Sequence, residues 1–330
     1  MLIASLPLLF MANMLLGSVD IPVTSVLDIL LGKGDEPATW SNIILRTRMP
    51  QTMTAMACGA GLSVAGLLMQ TAFRNPLAGP SVLGVASAAS LGVAMVVLLG
   101  GAFGGAALTR MGLVGNTAMI VAATAGAIAA MGLILAFAQR VRTGATLLII
   151  GVMTGYIATA IVGILKYFST EEEIRTYVIW GLGSFSRVTG GQVNLFVGLT
   201  AAVLPLSMLL SKPLNMLMLG EQYATNLGLN VRRAMTATLA EAGVLTAIVT
   251  AYCGPIMFIG LAVPHISRGL MRTSDHRVTI PATMICGASL AMACNLIARL
   301  PGFDGTLPIN SVTALIGAPV AVYILLKRAK

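Results

Sequence analysis

Charged side chains are scarce in this sequence. Asp, Glu, Lys and Arg make up 9% of its 330 residues, where a soluble domain carries about 25%. Aromatic residues are also thin, at 5%, while 57% of the chain is hydrophobic. These deficits exclude a soluble globular domain and leave a membrane protein. The four cysteines, Cys58, Cys253, Cys286 and Cys294, all lie in apolar runs at no metal-binding spacing, so packing is their expected role and no metal site is predicted. No lysine is followed by Ser or Thr, which excludes a Walker A phosphate loop. The two histidines, His265 and His276, lack the spacing of an intramembrane metalloprotease, and no GxSxG nucleophile elbow is present. The chain is therefore expected to be no enzyme and to hold no cofactor. If transport uses ATP, another subunit must hydrolyse it. A net charge of +9 would suggest a nucleic-acid partner in a soluble protein; here Lys and Arg in cytoplasmic loops account for it, and no nucleic-acid partner is expected.

Glycine (36) and methionine (20) are abundant. Small residues let membrane helices approach closely, as a compact bundle of many spans requires. Apolar segments are predicted at about 2–17, 50–73, 82–99, 113–138, 147–168, 193–210 and 234–253. A further segment starts near 256 and is interrupted by Pro264, and two more follow at 280–298 and 312–326. Most approach the ~20 residues that cross a bilayer. The first begins without a basic flank, which argues against a cleaved signal peptide, and is short for a span. Between the first two lie Asp20, Asp28, Asp35 and Glu36, with an interfacial helix predicted over 21–31. Glu171 to Glu173 precede a polar, glycine-rich stretch, GLGSFSRVTGG. The fold class read from this pattern is all-α: a single polytopic domain of residues 1–330 with about ten transmembrane helices in a lipid bilayer.

Ten spans put both ends on one side. That side carries 12 basic residues against two acids, Glu221 and Asp275; the other carries 8 basic residues and 8 acids, with Glu241 left inside a span. The excess of Lys and Arg places both termini and the 211–233 loop in the cytoplasm. This loop, SKPLNMLMLGEQYATNLGLNVRR, is flanked by Lys212 on one side and Arg232 and Arg233 on the other. Pro213 is expected to end or kink the preceding helix. From Gly220 a short helix, a turn at Gly228 with Asn230 and a new helix are predicted.

Two other stretches, NPLAGPSVLG (75–84) and GPIMFIGLAVPH (254–265), are apolar segments broken by Gly and Pro. Paired breaks of this kind mark a transport pathway; plain kinks give the same pattern. Glu241 is the one acid well inside an apolar segment, where a carboxyl is costly and either couples ions or is held structurally. For His265, beside Pro264, a structural hydrogen bond is expected over a ligand role. Gly151, Gly155, Thr159 and Gly163 recur every four residues on one helix face. Close helix packing accounts for the spacing, and a smooth wall beside a wide pathway is the alternative.

Four long stretches carry a resemblance: RMPQTMTAMACGAGLSVAGLLMQTAFRNPLAGPSVLGV, LNMLMLGEQYATNLGLNVRR, GPIMFIGLAVPHISRGL with SDHR, and LPINSVTALIGAPVAVYILLKR. In this order they resemble the FecCD-type permeases, membrane subunits of ABC importers for ferric siderophores, haem and vitamin B12. The resemblance implies the type II ABC importer permease fold in a bacterial inner membrane. It also implies a homodimer around one pathway, two cytoplasmic ATPases and an external substrate-binding protein. By it, Gly220, Glu221, Ala224, Leu227 and Gly228 are expected to form the loop that couples to the ATPase. Asn75, Leu77, Thr143, Gly144 and Ala145 are expected to form a cytoplasmic gate. Arg48 and Arg299 are expected to meet acids of the binding protein, with interfacial anchoring as the alternative, and Gln51 stands where some relatives have a further Arg. An ion-coupled secondary transporter using Glu241, or a non-transporting membrane scaffold, are the other classes open to the sequence.

Overall fold

The computed structural model describes residues 2–33, 36–99, 113–141, 144–299 and 306–328. All its regular elements are helical. α1 (Leu2–Leu15) leads to α2 (Val23–Leu30), then α3 (Ala38–Ile43), a π-helical turn (Ile44–Arg48) and α4 (Met49–Ala72). A 3-10 turn (Pro80–Leu83) precedes α5 (Val85–Leu98), followed by α6 (Leu113–Ala138), α7 (Gly144–Tyr167) and α8 (Glu171–Gly181). α9 (Gly191–Val203), α10 (Leu206–Leu209), α11 (Ser211–Met218) and α12 (Glu221–Asn226) lead to α13 (Val231–Cys253). α14 (Ile259–Met271), α15 (His276–Ala298) and α16 (Ile309–Arg328) complete the chain. Six of the described helices are long and apolar enough to cross a membrane, three shorter ones are apolar, and with α14 the count matches the expected ten.

α4 is the centre of the bundle. It packs against α13, α14 and α15, and 20 of its 24 residues are buried. Glycine makes this possible by removing side chains where backbones cross. A Cβ on Gly59 would lie 2.1 Å from the Gly287 carbonyl oxygen, and one on Gly66 would lie 1.7 Å from that of Gly260. A second crossing, of α5 on α6, uses Gly92 against Ala122 and Gly126 against Ala88. With lipid as apolar as leucine, such close approach supplies the packing energy that burial from water supplies elsewhere.

One sequence expectation is corrected. Pro264 does not interrupt its helix: it is buried within α14, and the break lies earlier, at Gly254 (φ 79°) and Phe258 (φ 68°). The chain turns at Leu204–Pro205 and again at Leu210, where α10 ends; Pro213, in the first turn of α11, has no N–H to offer the Leu209 carbonyl, and the helix breaks ahead of it as expected. The glycine-rich stretch after Glu173 is preceded by an unforeseen helix, α8, started by a capping box between Thr170 and Glu173.

The small-residue face of α7 divides. Gly151 and Gly155 lie against the turn at 82–84 and Ser87, while Thr159 and Gly163 are exposed. Close packing explains the first half only.

Candidate functional site

The expected coupling loop folds as its glycines dictate. Gly220 has φ 109° and ψ 151°, a conformation closed to residues with a Cβ, and lets α12 start sharply after α11. α12 ends in a Schellman motif: Leu229 N–H donates to the Ala224 carbonyl (3.0 Å) and Gly228 N–H to that of Thr225 (2.9 Å), with Gly228 at φ 83°. Asn230 then caps α13, its Oδ1 accepting from Arg233 N–H at 3.0 Å. Ala224 is fully buried and anchors the short helix, whereas Leu219, Tyr223 and Leu227 are 62%, 68% and 59% exposed. Three large apolar side chains thus stand outward on a loop whose flanks are charged. Glu221 faces a cavity of about 390 Å³ shared with Arg140, Arg232 and Gly144.

The expected gate lies beside this loop. Arg74 adopts φ 48° and closes α4 as a glycine would, with Asn75 N–H donating to the Gln70 carbonyl and Arg74 N–H to that of Thr71, both at 3.1 Å. Asn75 Oδ1 accepts from Leu77 N–H at 3.0 Å, which turns the chain and leaves Leu77 40% exposed. α14 holds the turn in place: His265 Nε2–H donates to the Pro76 carbonyl at 2.9 Å, so this histidine is structural as expected. Gln70 bridges the Leu261 carbonyl and the Arg268 guanidinium. A Cβ on Gly144, at the start of α7, would meet Phe73 at 3.5 Å, so the two expected gate segments are neighbours. Ala145 is exposed and Thr143 lies outside the described residues. The two stretches broken by Gly and Pro also meet, because a Cβ on Gly260 would lie 2.6 Å from Pro80.

Arg48 and Arg299 stand together at Gly17. Arg48 is buried, at 2% exposure, and its guanidinium donates to the carbonyls of Met14, Leu15 and Val19, satisfying the C-terminal end of α1. Three of its five N–H donors are thus engaged within the chain. Arg299 is half-buried and donates to Gln51 Oε1 (3.2 Å) and the Leu16 carbonyl (3.1 Å). Burial first, and Arg48 second, lower its pKa to about 10, so it stays charged at neutral pH. Nearby loops are pinned by Asn310, which accepts from Met257 N–H and donates to the carbonyls of Gly181 and Pro255.

Glu241 is 8% exposed on α13, and its Oε1 has no hydrogen-bond partner among the described residues. An unsatisfied buried polar atom costs about 1–3 kcal/mol. Glu241→Met, of similar length and apolar, is therefore expected to raise the unfolding midpoint in detergent and to keep uptake within about twofold. A lower midpoint together with lost uptake would give the carboxyl a working role.

No group of three or more His, Cys, Asp or Glu able to hold a metal occurs among the described residues. Tyr223, Leu219, Asn215 and Asn310 did not emerge from the sequence. Only Tyr223 and Leu219 left a signal there, as large apolar residues between basic flanks.

The FecCD transport family model matches residues 5–327. The vitamin B12 import system permease protein BtuC of Escherichia coli O17:K52:H18 is 36% identical over 299 residues, covering 89% of this chain and 88% of that protein. Its counterpart in Klebsiella pneumoniae is 38% identical over 284 residues, covering 86% and 82%. A solved structure assigned to the metal-chelate type of ABC transporter, in an inward-facing conformation, superposes with a TM-score of 0.84 at 27% identity over 99% of this chain and 97% of that one. PsaBC from Streptococcus pneumoniae, in complex with Fab, superposes at 0.56 with 14% identity over 90% and 94%, a likeness of fold alone.

Proposed function

This chain belongs to the FecCD transport family, and from that premise we propose that it is the permease subunit of an ATP-driven importer that carries a metal chelate across a bacterial inner membrane. The substrate class is cobalamin, a ferric siderophore or haem. Two copies enclose the pathway, two cytoplasmic ATPases bind ATP and Mg, and an external binding protein delivers the substrate. The 220–228 loop seats in the ATPase, and ATP binding and hydrolysis there tilt the helices so that the turn at Asn75–Leu77 and the start of α7 open and close the inner end. Both termini lie in the cytoplasm. Arg299, charged and half-buried, is the outer arginine offered to an acid of the binding protein.

The observation that carries this reading is the exposure of Leu219, Tyr223 and Leu227 on and around the short α12, whose leading Gly220 approaches Arg74 of the gate turn. An apolar surface on a charged loop marks an interaction site, and we read its occupant as the ATPase. In proteoliposomes with the ATPase and binding protein, labelled cobalamin or ferric siderophore is expected to enter only with hydrolysable ATP. Flux that continues without the ATPase and stops in Glu241→Gln would make the chain an ion-coupled carrier instead. No flux of cobalamin, siderophore or haem under any condition would remove the metal-chelate assignment.

A further inference from the structure

Where α11, α15 and the end of α4 meet, three side chains form one continuous link, buried at His276 and Thr71 and half-buried at Asn215. Asn215 lies on α11, just before Gly220 and the coupling helix. Its Oδ1 accepts from His276 N–H at 2.9 Å, and its Nδ2 donates to Asp275 Oδ1 at 2.6 Å. Those two bonds fix which end of the amide is which. His276 Nδ1, 2.7 Å from the same Oδ1, must therefore carry its proton and donate. On the far side of the ring, His276 Nε2 lies 2.8 Å from Thr71 Oγ1, which is also 2.9 Å from the Leu67 carbonyl. His276 is fully buried and Thr71 nearly so. Thr71 begins the turn that carries Asn75 and Leu77, its own carbonyl accepting from Arg74 N–H.

The surroundings make this link matter. A cavity of about 230 Å³ lies beside it, lined by Met218 on the coupling side and by Thr71, Arg74 and Pro76 on the gate side. The two loops also approach each other at Gly220, where a Cβ would lie 3.5 Å from the guanidinium of the long Arg74 side chain. The imidazole bridges the same two elements at hydrogen-bond distance on both faces, in a buried setting where such bonds resist stretching. Asp275 fixes the base of the ring's helix as well: its carboxylate caps α15 by accepting from Arg277 N–H at 3.0 Å.

We propose that Asn215, His276 and Thr71 are positioning residues that carry movement of the coupling loop to the inner gate. This rests on the coupling and gate assignments above. Loss of the link uncouples: the ATPase still binds and turns over, but the gate no longer follows.

The test reads the gate directly and needs no substrate. Leu77→Cys places a thiol on the exposed turn, and the four native cysteines are buried, so labelling by a water-soluble maleimide reports that site. In proteoliposomes with the ATPase, ATP is expected to change the labelling rate by about fivefold or more in the Leu77→Cys parent. Thr71→Val, which keeps shape and removes the hydroxyl, is expected to abolish that change while ATP hydrolysis stays within about twofold. Asn215→Leu is expected to do the same, and Thr71→Ser to restore the response. If the parent responds and Thr71→Val and Asn215→Leu respond equally well, the link is not the transmitter and the proposal falls. If hydrolysis and the labelling response fall together in both variants, the residues merely support the fold, and the proposal falls again. If the parent shows no response with an active ATPase bound, the gate and coupling assignments fail, and the link with them.

Discussion

Replacing Tyr223 and Leu227 together by aspartate should leave the permease folded and strip it of its ATPase. Both side chains are more than half exposed, so their loss costs the isolated subunit almost nothing in packing. In the assembled importer the same two groups would be the apolar anchors of the docking helix. Aromatic and large aliphatic anchors at the centre of an interface each cost about 2 kcal/mol or more on truncation. Adding two carboxylates to a desolvated contact raises that further. ATPase affinity is therefore expected to fall by at least about 100-fold, equivalent to roughly 2.8 kcal/mol. Co-purification in detergent would show it as a lost subunit, with the permease itself still eluting as a sharp peak. Retained ATPase at wild-type stoichiometry would mean that these side chains face lipid or solvent and that the 220–228 loop is not the docking element.

The second large effect is expected at Gly66. Its missing side chain lets α4 touch the start of α14 backbone to backbone, and an added Cβ would fall 1.7 Å from the Gly260 carbonyl oxygen. Overpacking by side chains costs about 1–3 kcal/mol because neighbours rotate away. Here the neighbour is main chain, which cannot rotate, so α14 must move as a unit. That movement would carry His265, which holds the expected gate turn, and pull the Leu261 carbonyl away from Gln70 of α4. Gly66→Val is expected to cost about 3 kcal/mol or more, a large part of a marginal total stability. Fluorescence-detected size exclusion and a thermal ramp would report it as aggregated or early-melting protein. Gly61 is the control on the same helix. Its nearest neighbours are side chains at 3.4 Å and beyond, and Gly61→Ala should be tolerated. Equal behaviour of the two variants would refute the tight crossing.

Much of this arrangement could be read from composition and spacing. Apolar runs located α4, α6, α7, α13 and α15 because a bilayer demands long uninterrupted segments. The glycine and asparagine signals at Gly220, Gly228 and Asn230 located the short α12 and its turn because each has one local structural use. The failures were equally physical. Pro264 suggested a break, yet its carbonyl-side neighbours are packed within α14 and the break belongs to Phe258, a bulky residue with no local preference for positive φ. Arg74 closes α4 in a left-handed conformation that sequence patterns reserve for glycine. For Arg48, how many donors turn back on the chain's own carbonyls depends on where α1 ends in space, which no local pattern gives. The Asn215–His276–Thr71 link joins positions far apart in the chain, and no local pattern encodes it.

The deep enclosure of α4 has a consequence for how the protein is made. The helices that surround it, α13 to α15, are encoded up to roughly 200 residues downstream, and translation at about 5–20 residues per second delivers the last of them about 10–40 s later. During that interval α4 must wait in the nascent membrane without its neighbours. Gln51, Thr54, Ser63 and Gln70, all buried in the finished bundle, then face hydrocarbon or whatever companion the insertion machinery supplies. The helix at the centre of the mature subunit is thus the one whose biogenesis depends most on being escorted.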